Sequence, residues 1–185
     1  NPRVRFQLLC TLGSVDEAQP LVQNMLFENI ADPWTSLAAF SSPMLKPANL
    51  FEEGVDLLGE KEVPGAEAFF GTLGSALVLS EGEEKRKDIL QQGLAPGNAY
   101  WKAPLLSGMH KVLRYQAGEF SLDEESYTAL LTAALGESDP MRDEARKLLS
   151  IMETPEGMPL SKVLTQAEAI VREHTYPDVR RADAV

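Results

Sequence analysis

The sequence is poor in the side chains that most often do chemistry: one cysteine and two histidines in 185 residues. A lone cysteine forms no intramolecular disulfide, so Cys10 carries no signal about redox compartment. Neither histidine is near it in sequence. Its apolar helical stretch makes Cys10 read as a small buried hydrophobe and not as a nucleophile. Aromatic residues are scarce at 7%, and the hydrophobic 44% is chiefly Leu, Ala, Val and Met, a mix that suits stacked helices better than a β-sandwich. Positive charge is short as well. Seventeen Lys and Arg face 28 Asp and Glu, and the formal net charge of −11 disfavours binding to a phosphate backbone. The densest cationic cluster, Lys85-Arg86-Lys87, sits beside Glu83, Glu84 and Asp88 and reads as a solvated helix face. Nucleic acid is not an expected partner. No apolar run approaches the roughly 18 residues of a membrane-crossing helix, so no membrane span is expected. There is no Gly-rich phosphate loop after a strand, no nucleophile elbow and no metal-ligand spacing. The pairs Glu52-Glu53 and Glu83-Glu84 point about 100° apart on a helix and do not converge on a substrate. The expectation is a segment without catalytic, cofactor or metal residues.

What the chain does have is helical periodicity. Tyr127, Leu130, Leu131, Ala134 and Leu135 form one stripe, with Gly136 as the stop. Ser121-Leu122-Asp123-Glu124 reads as a capping box at its start. Asp139 is a plausible N-cap before Pro140, and Met141, Ala145, Leu148, Leu149 and Met152 line the next helix. A further helix follows Pro159, and another begins near Tyr176-Pro177. In the first half, helices are expected over Val4 to Leu12, Ala18 to Ile30, Pro33 to Ser42 and Ala66 to Leu79. Pro43 and Pro47 break the pattern, so 43–64 is expected to be an irregular insertion with a short helix over Leu45 to Leu58. Ser80-Glu81-Gly82-Glu83 offers a second capping box, leading a helix through Ile89 and Leu94, and Asn98 caps one from Ala99 to about Tyr115. No polar–apolar alternation between hairpin turns is found, so strand content should be near zero. Short connections make neighbouring helices antiparallel.

Four helix starts are alike: Asn1-Pro2-Arg3-Val4-Arg5, Asp32-Pro33-Trp34, Asp139-Pro140-Met141-Arg142 and Tyr176-Pro177-Asp178-Val179-Arg180. Pro2 to Pro33 is 31 positions and Pro140 to Pro177 is 37, both in the range of helix-pair repeats. These segments resemble HEAT-type repeats of the PBS-lyase-like variety, in which a capping Asp or Asn and Pro precede Val-Arg and an apolar helix. More narrowly, Val4-Arg5-Phe6-Gln7-Leu8, Thr11-Leu12-Gly13, Asp32-Pro33-Trp34, Ser41-Ser42 and Tyr100 to Gly108 resemble a stretch of large secreted bacterial proteins. In that family a dehydrogenase-like β-propeller precedes the helical repeats and a c-type haem segment follows them. The haem-attachment motif needs two cysteines and a histidine and is not in this chain. The resemblance implies an all-α right-handed superhelix of antiparallel helix pairs, a single domain over 1–185. It further implies a non-catalytic module that binds a protein or flanking domains of its own chain, in a periplasmic or secreted setting. Some PBS-lyase-like solenoids handle bilin pigments, and a small-molecule carrier or lyase-like enzyme is the alternative. Cys10 in an apolar stripe does not suit a bilin clamp.

Three residues stand out as candidates for contact with a partner. Trp34 and Trp101 each fall at a helix start, where an indole either stacks on a partner or packs between repeats. His110, after Gly108-Met109, has no second ligand at helical spacing and reads as a surface or groove residue. His174, beside Glu173, suits a helix C-terminus, where a cation complements the dipole. The chain opens on Asn1-Pro2 without a Met and stops about two turns after Pro177, so both ends are expected to be cut, with neighbouring domains covering them.

Overall fold

The computed structural model describes residues 1–59, 62–97, 99–116, 120–136 and 139–156, together with 161 and 165. The helices expected after Pro159 and Tyr176, His174 and the cap at Asn98 lie outside these residues. Within them the chain is all-helical and contains no strand. The helices are α1 (Pro2–Leu12), α2 (Gln19–Glu28, after a 3₁₀ turn at Asp16–Ala18), α3 (Pro33–Phe40), α4 (Pro47–Leu58), α5 (Ala66–Ser80), α6 (Glu83–Leu94), α7 (Lys102–Leu113), α8 (Glu124–Ala134) and α9 (Asp139–Leu149).

The proline starts work as their chemistry dictates. The side-chain oxygen of Asn1 accepts from the Arg3 amide, and that of Asp32 accepts from the Trp34 amide at 3.1 Å. Each following proline gives up an N–H that has no helical partner anyway. The Thr35 hydroxyl, the Trp34 amide and Arg5 together hold the Asp32 carboxyl below the usual carboxylate range. Arg5 reaches Asp32 at 3.1 Å, so the cap of α3 is tied to α1.

Contacts fix the sense of the helices. Arg5 with Asp32 joins the starts of α1 and α3, and the Ser42 hydroxyl donating to the Gly13 carbonyl at 2.6 Å joins their ends, so the two run parallel. Likewise Ser121 near the start of α8 donates to Glu83 at the start of α6, and Gln91 of α6 donates to Ser126 of α8. The neighbours α8 and α9 run oppositely: Tyr127 at the start of α8 meets Thr154 beyond the end of α9, and Arg146 of α9 donates to the Ala134 carbonyl. Packing among the described residues puts α1 on α3, α5 on α7, α7 on α9 and α6 on α8, with α8 also on its neighbour α9 and α4 on α5. Between the layers lies one core, including Leu26, Leu50, Phe51, Phe69, Phe70, Leu73, Leu77, Ile89, Leu90, Leu105, Leu106 and Leu148. Phe69 links α3 to α5 through Phe40, at 5.8 Å between ring centroids.

Several expectations change. The stretch read as an irregular insertion holds α4, a regular helix of 12 residues that buries Leu50, Phe51, Gly54 and Leu58. Pro47 starts it, so the proline marks a boundary and breaks nothing. Neither serine box forms. Ser80 is the last residue of α5, whose apolar run carries the helix past Leu79, and α6 starts from Gly82 without a side-chain cap. At α8 the cap is Asp123, whose carboxylate accepts from the Ser126 amide at 2.7 Å, leaving Ser121 to bond Glu83. The helix expected from Ala99 begins at Lys102. Cys10 is exposed and not buried. It sits next to the fully buried Leu9, and one residue along a helix turns a side chain by about 100°. The lysine cluster is more restrained than a solvated face: Lys85 pairs with Glu52 of α4 at 3.1 Å and Lys87 with Glu83 at 2.8 Å.

Candidate functional site

A groove of about 800 Å³ opens between α5, α7 and α9, within the range of natural ligand sites. One wall is the lead-in to α5, from Glu62 to Gly65, with Ala66 and Glu67 of its first turn. The second is the outer stripe of α7, where Ala103, Pro104 and Ser107 follow Ala99 and Tyr100. The third is Pro140, Met141, Asp143, Glu144 and Lys147, one face of α9 at spacings of three and four. Gly65 makes the first wall possible. Its φ is +90°, and a Cβ there would meet the Ile30 carbonyl at 2.5 Å and the Ala31 backbone at 2.6 Å. A side chain would push the strand of chain before α5 away from the 30–31 corner and displace the wall.

Aromatic packing sets the height of α7 within the site. Trp101 is buried, at 5.3 Å from Phe51 of α4 and 6.0 Å from Phe70 of α5. Beside it Lys102 is also buried, with Nζ donating to the carbonyls of Ala95, Pro96 and Gly97 and lying 5.8 Å from the Trp101 ring. Burial lowers the Lys102 pKa. The charge is nonetheless supported, because the three carbonyls closing α6 take all three ammonium protons.

The groove is acidic. Glu62, Glu67, Asp143 and Glu144 face it against a single ammonium, Lys147. That ammonium is engaged by Glu144 Oε1 at 2.6 Å. The other oxygen, Glu144 Oε2, is buried and accepts no hydrogen bond among the described residues. His110 stands one turn beyond Ser107 on α7, half-buried, with its pKa lowered by desolvation against an opposing pull from Glu144. Chemically the site can hold and orient a ligand by charge and shape. No cluster of three or more His, Cys, Asp or Glu able to hold a metal occurs among the described residues. Nor is any described helix long and apolar enough to cross a membrane.

The three residues singled out from sequence do not form one site. Trp34 is 59% exposed on α3, in edge contact with Phe6 at 5.9 Å. Trp101 is 7% exposed and belongs to the core, so its indole packs between helices. His110 is on α7 one turn beyond Ser107 and does not line the groove. The adjacent carboxylates Glu52 and Glu53 diverge, one to Lys85 of α6 and the other to Gln23 of α2. Sequence reasoning missed Glu67, Asp143 and Glu144. The Pro140, Asp143, Glu144, Lys147 spacing already places them on one face of α9, but the opposite wall comes from a helix more than 60 positions earlier. Comparison with protein-family models, with curated proteins and with solved structures finds no match to this chain.

Proposed function

We propose that the chain is a non-catalytic scaffold module, a right-handed superhelix of HEAT-like helix pairs, that docks a segment of polypeptide in the groove between α5, α7 and α9. The observation that carries this reading is the stacking of α5 on α7 and of α7 on α9, which lets three helices contribute one wall each to a single groove. Stacked repeats of this kind bury their apolar faces only against each other and leave an extended surface for binding. The likeness of the Asn/Asp-Pro helix starts to PBS-lyase-type repeats favours a place in a larger extracytoplasmic bacterial protein, with flanking domains or a separate protein as the partner.

The experiment is selection of displayed random twelve-residue peptides against the folded chain. Selected peptides should lose binding to Ser107→Trp, which fills the groove, and keep it for Glu84→Trp on exposed α6 surface. Circular dichroism verifies that both variants stay helical. Selection that yields no groove-dependent peptide overturns the docking role.

A further inference from the structure

We infer that the occupant of the groove is a cationic segment, an extended peptide bearing lysine or arginine between small or apolar residues. The inference rests on the docking role proposed above and adds the chemistry of the partner.

Charge decides the sign. Four carboxylates face the groove, and Glu62, Glu67 and Asp143 have no ion-pair partner among the described residues. Carboxylates that bridge helices elsewhere bring their own cations, as Asp32 does with Arg5 and Glu52 with Lys85. One argument runs the other way. The first turns of α5 and α9 and the start of α7 border the groove, and each helix N-terminus carries about half a positive charge. Three such ends supply roughly +1.5, which does not offset four carboxylates against one ammonium. The groove therefore stays negative, in a protein that is itself at −11.

The walls define the rest of the ligand. Pro64, Pro104 and Pro140 have no amide N–H, and Ala66 and Ala103 have no side-chain polar group. These surfaces accept methylene stems and small side chains, leaving recognition of charge to the rim. Tyr100, 56% exposed beside them, offers a ring face to a lysine stem or a guanidinium. Glu144 already holds Lys147, so Glu62, Glu67 and Asp143 are the carboxylates left for a ligand cation. A long cationic side chain in an extended peptide satisfies these demands together. An anionic segment would meet the carboxylates with like charge.

The test uses three labelled twelve-residue peptides of one scaffold, Gly and Ala with four positions occupied by Lys, Gln or Glu, at physiological salt. Binding is read by fluorescence anisotropy to the wild-type chain, to Glu67→Lys/Asp143→Lys in the groove, and to Glu84→Lys/Asp88→Lys on α6. The two double variants carry the same change in net charge, so attraction to the overall field affects both alike. We expect the Lys peptide to bind at least tenfold more tightly than the Gln and Glu peptides. The groove variant should lose that advantage, and the α6 variant should keep it within about twofold. Equal weakening by both double variants would mean diffuse attraction and overturn the inference. Spermine displacing the Lys peptide at equal charge concentration would overturn it too, since the peptide chain would then contribute nothing. Gln or Glu peptides that bind best and are blocked by Ser107→Trp would refute the charge class while the docking role stands. If no peptide of any charge is sensitive to Ser107→Trp, both fall.

Discussion

At the crossing of α5 and α7 the backbones themselves touch, and an alanine scan of its glycines separates close packing from helix propensity. A Cβ at Gly108 would sit 2.0 Å from the Gly71 carbonyl oxygen and 3.0 Å from the Ser75 nitrogen. Carbon and oxygen need well over an ångström more than that, and both obstacles are backbone that no rotamer change can clear. Gly108→Ala must part the two helices, which also breaks the hydrogen bond from the Ser75 hydroxyl to the Gly108 carbonyl at 2.9 Å. Overpacking of this kind costs about 1–3 kcal/mol and the lost hydrogen bond about 1 kcal/mol more. Against this, alanine is better than glycine inside a helix by roughly 1 kcal/mol. The net expectation is destabilisation of about 1–3 kcal/mol, a fall in Tm of roughly 2–12 °C for a chain of this size. Gly71, on the facing helix, is the control. A Cβ there meets only the Pro104 carbonyl, at an ordinary 3.6 Å. Gly71→Ala should therefore stabilise by about 0.5–1 kcal/mol. Thermal unfolding followed at 222 nm reads both. A Gly108→Ala protein as stable as wild type, or two variants shifted in the same direction, would refute the close crossing.

Leu148 is completely buried on α9 while its neighbour Leu149 is half-buried, so Leu148→Ala should cost about 2–5 kcal/mol. Hydrogen exchange should show the loss concentrated in α7 to α9 with α1 to α3 still protected; uniform loss would contradict stacking by neighbours. Lys102→Met keeps the stem but leaves the carbonyls of Ala95, Pro96 and Gly97 without their donor, and should lower stability in urea by about 1–3 kcal/mol. Asp123→Ala removes the α8 cap, at a cost of about 1 kcal/mol at neutral pH. The Ser126 amide holds the Asp123 carboxyl below the usual aspartate range, so the stability this group supplies is present above an ordinary aspartate pKa and lost as pH falls through the depressed value. The gap between variant and wild type in urea titrations should accordingly narrow in strong acid and not in base. Cys10 should react with one equivalent of a thiol reagent in the native protein, and a reaction that needs denaturant would place it in the core after all.

The all-helical class and most helix boundaries were legible in the sequence because they depend on local chemistry. Asn1 and Asp32 cap, Pro2 and Pro33 occupy the first turn, and apolar residues recur at three and four, whatever lies elsewhere in the chain. Where two local signals competed, tertiary contacts chose between them. Ser121 and Asp123 are both able to cap α8, and Glu83 of α6 draws Ser121 away. Local pattern placed Cys10 inside and left Trp101 open between a partner and packing among helices. Only the packing of α4, α5 and α7 shows that Trp101 is enclosed by Phe51 and Phe70 while Cys10 faces outward. The proline-rich stretch before α5 read as an insertion because a proline at a helix start and one at a break look alike until the burial of Leu50 and Phe51 is known. The groove was beyond any local reading. Its carboxylates come from segments far apart in the chain, and what brings Glu67 opposite Asp143 is the close stacking of α5 on α7 and α7 on α9, which depends on glycines whose missing side chains carry no pattern of their own.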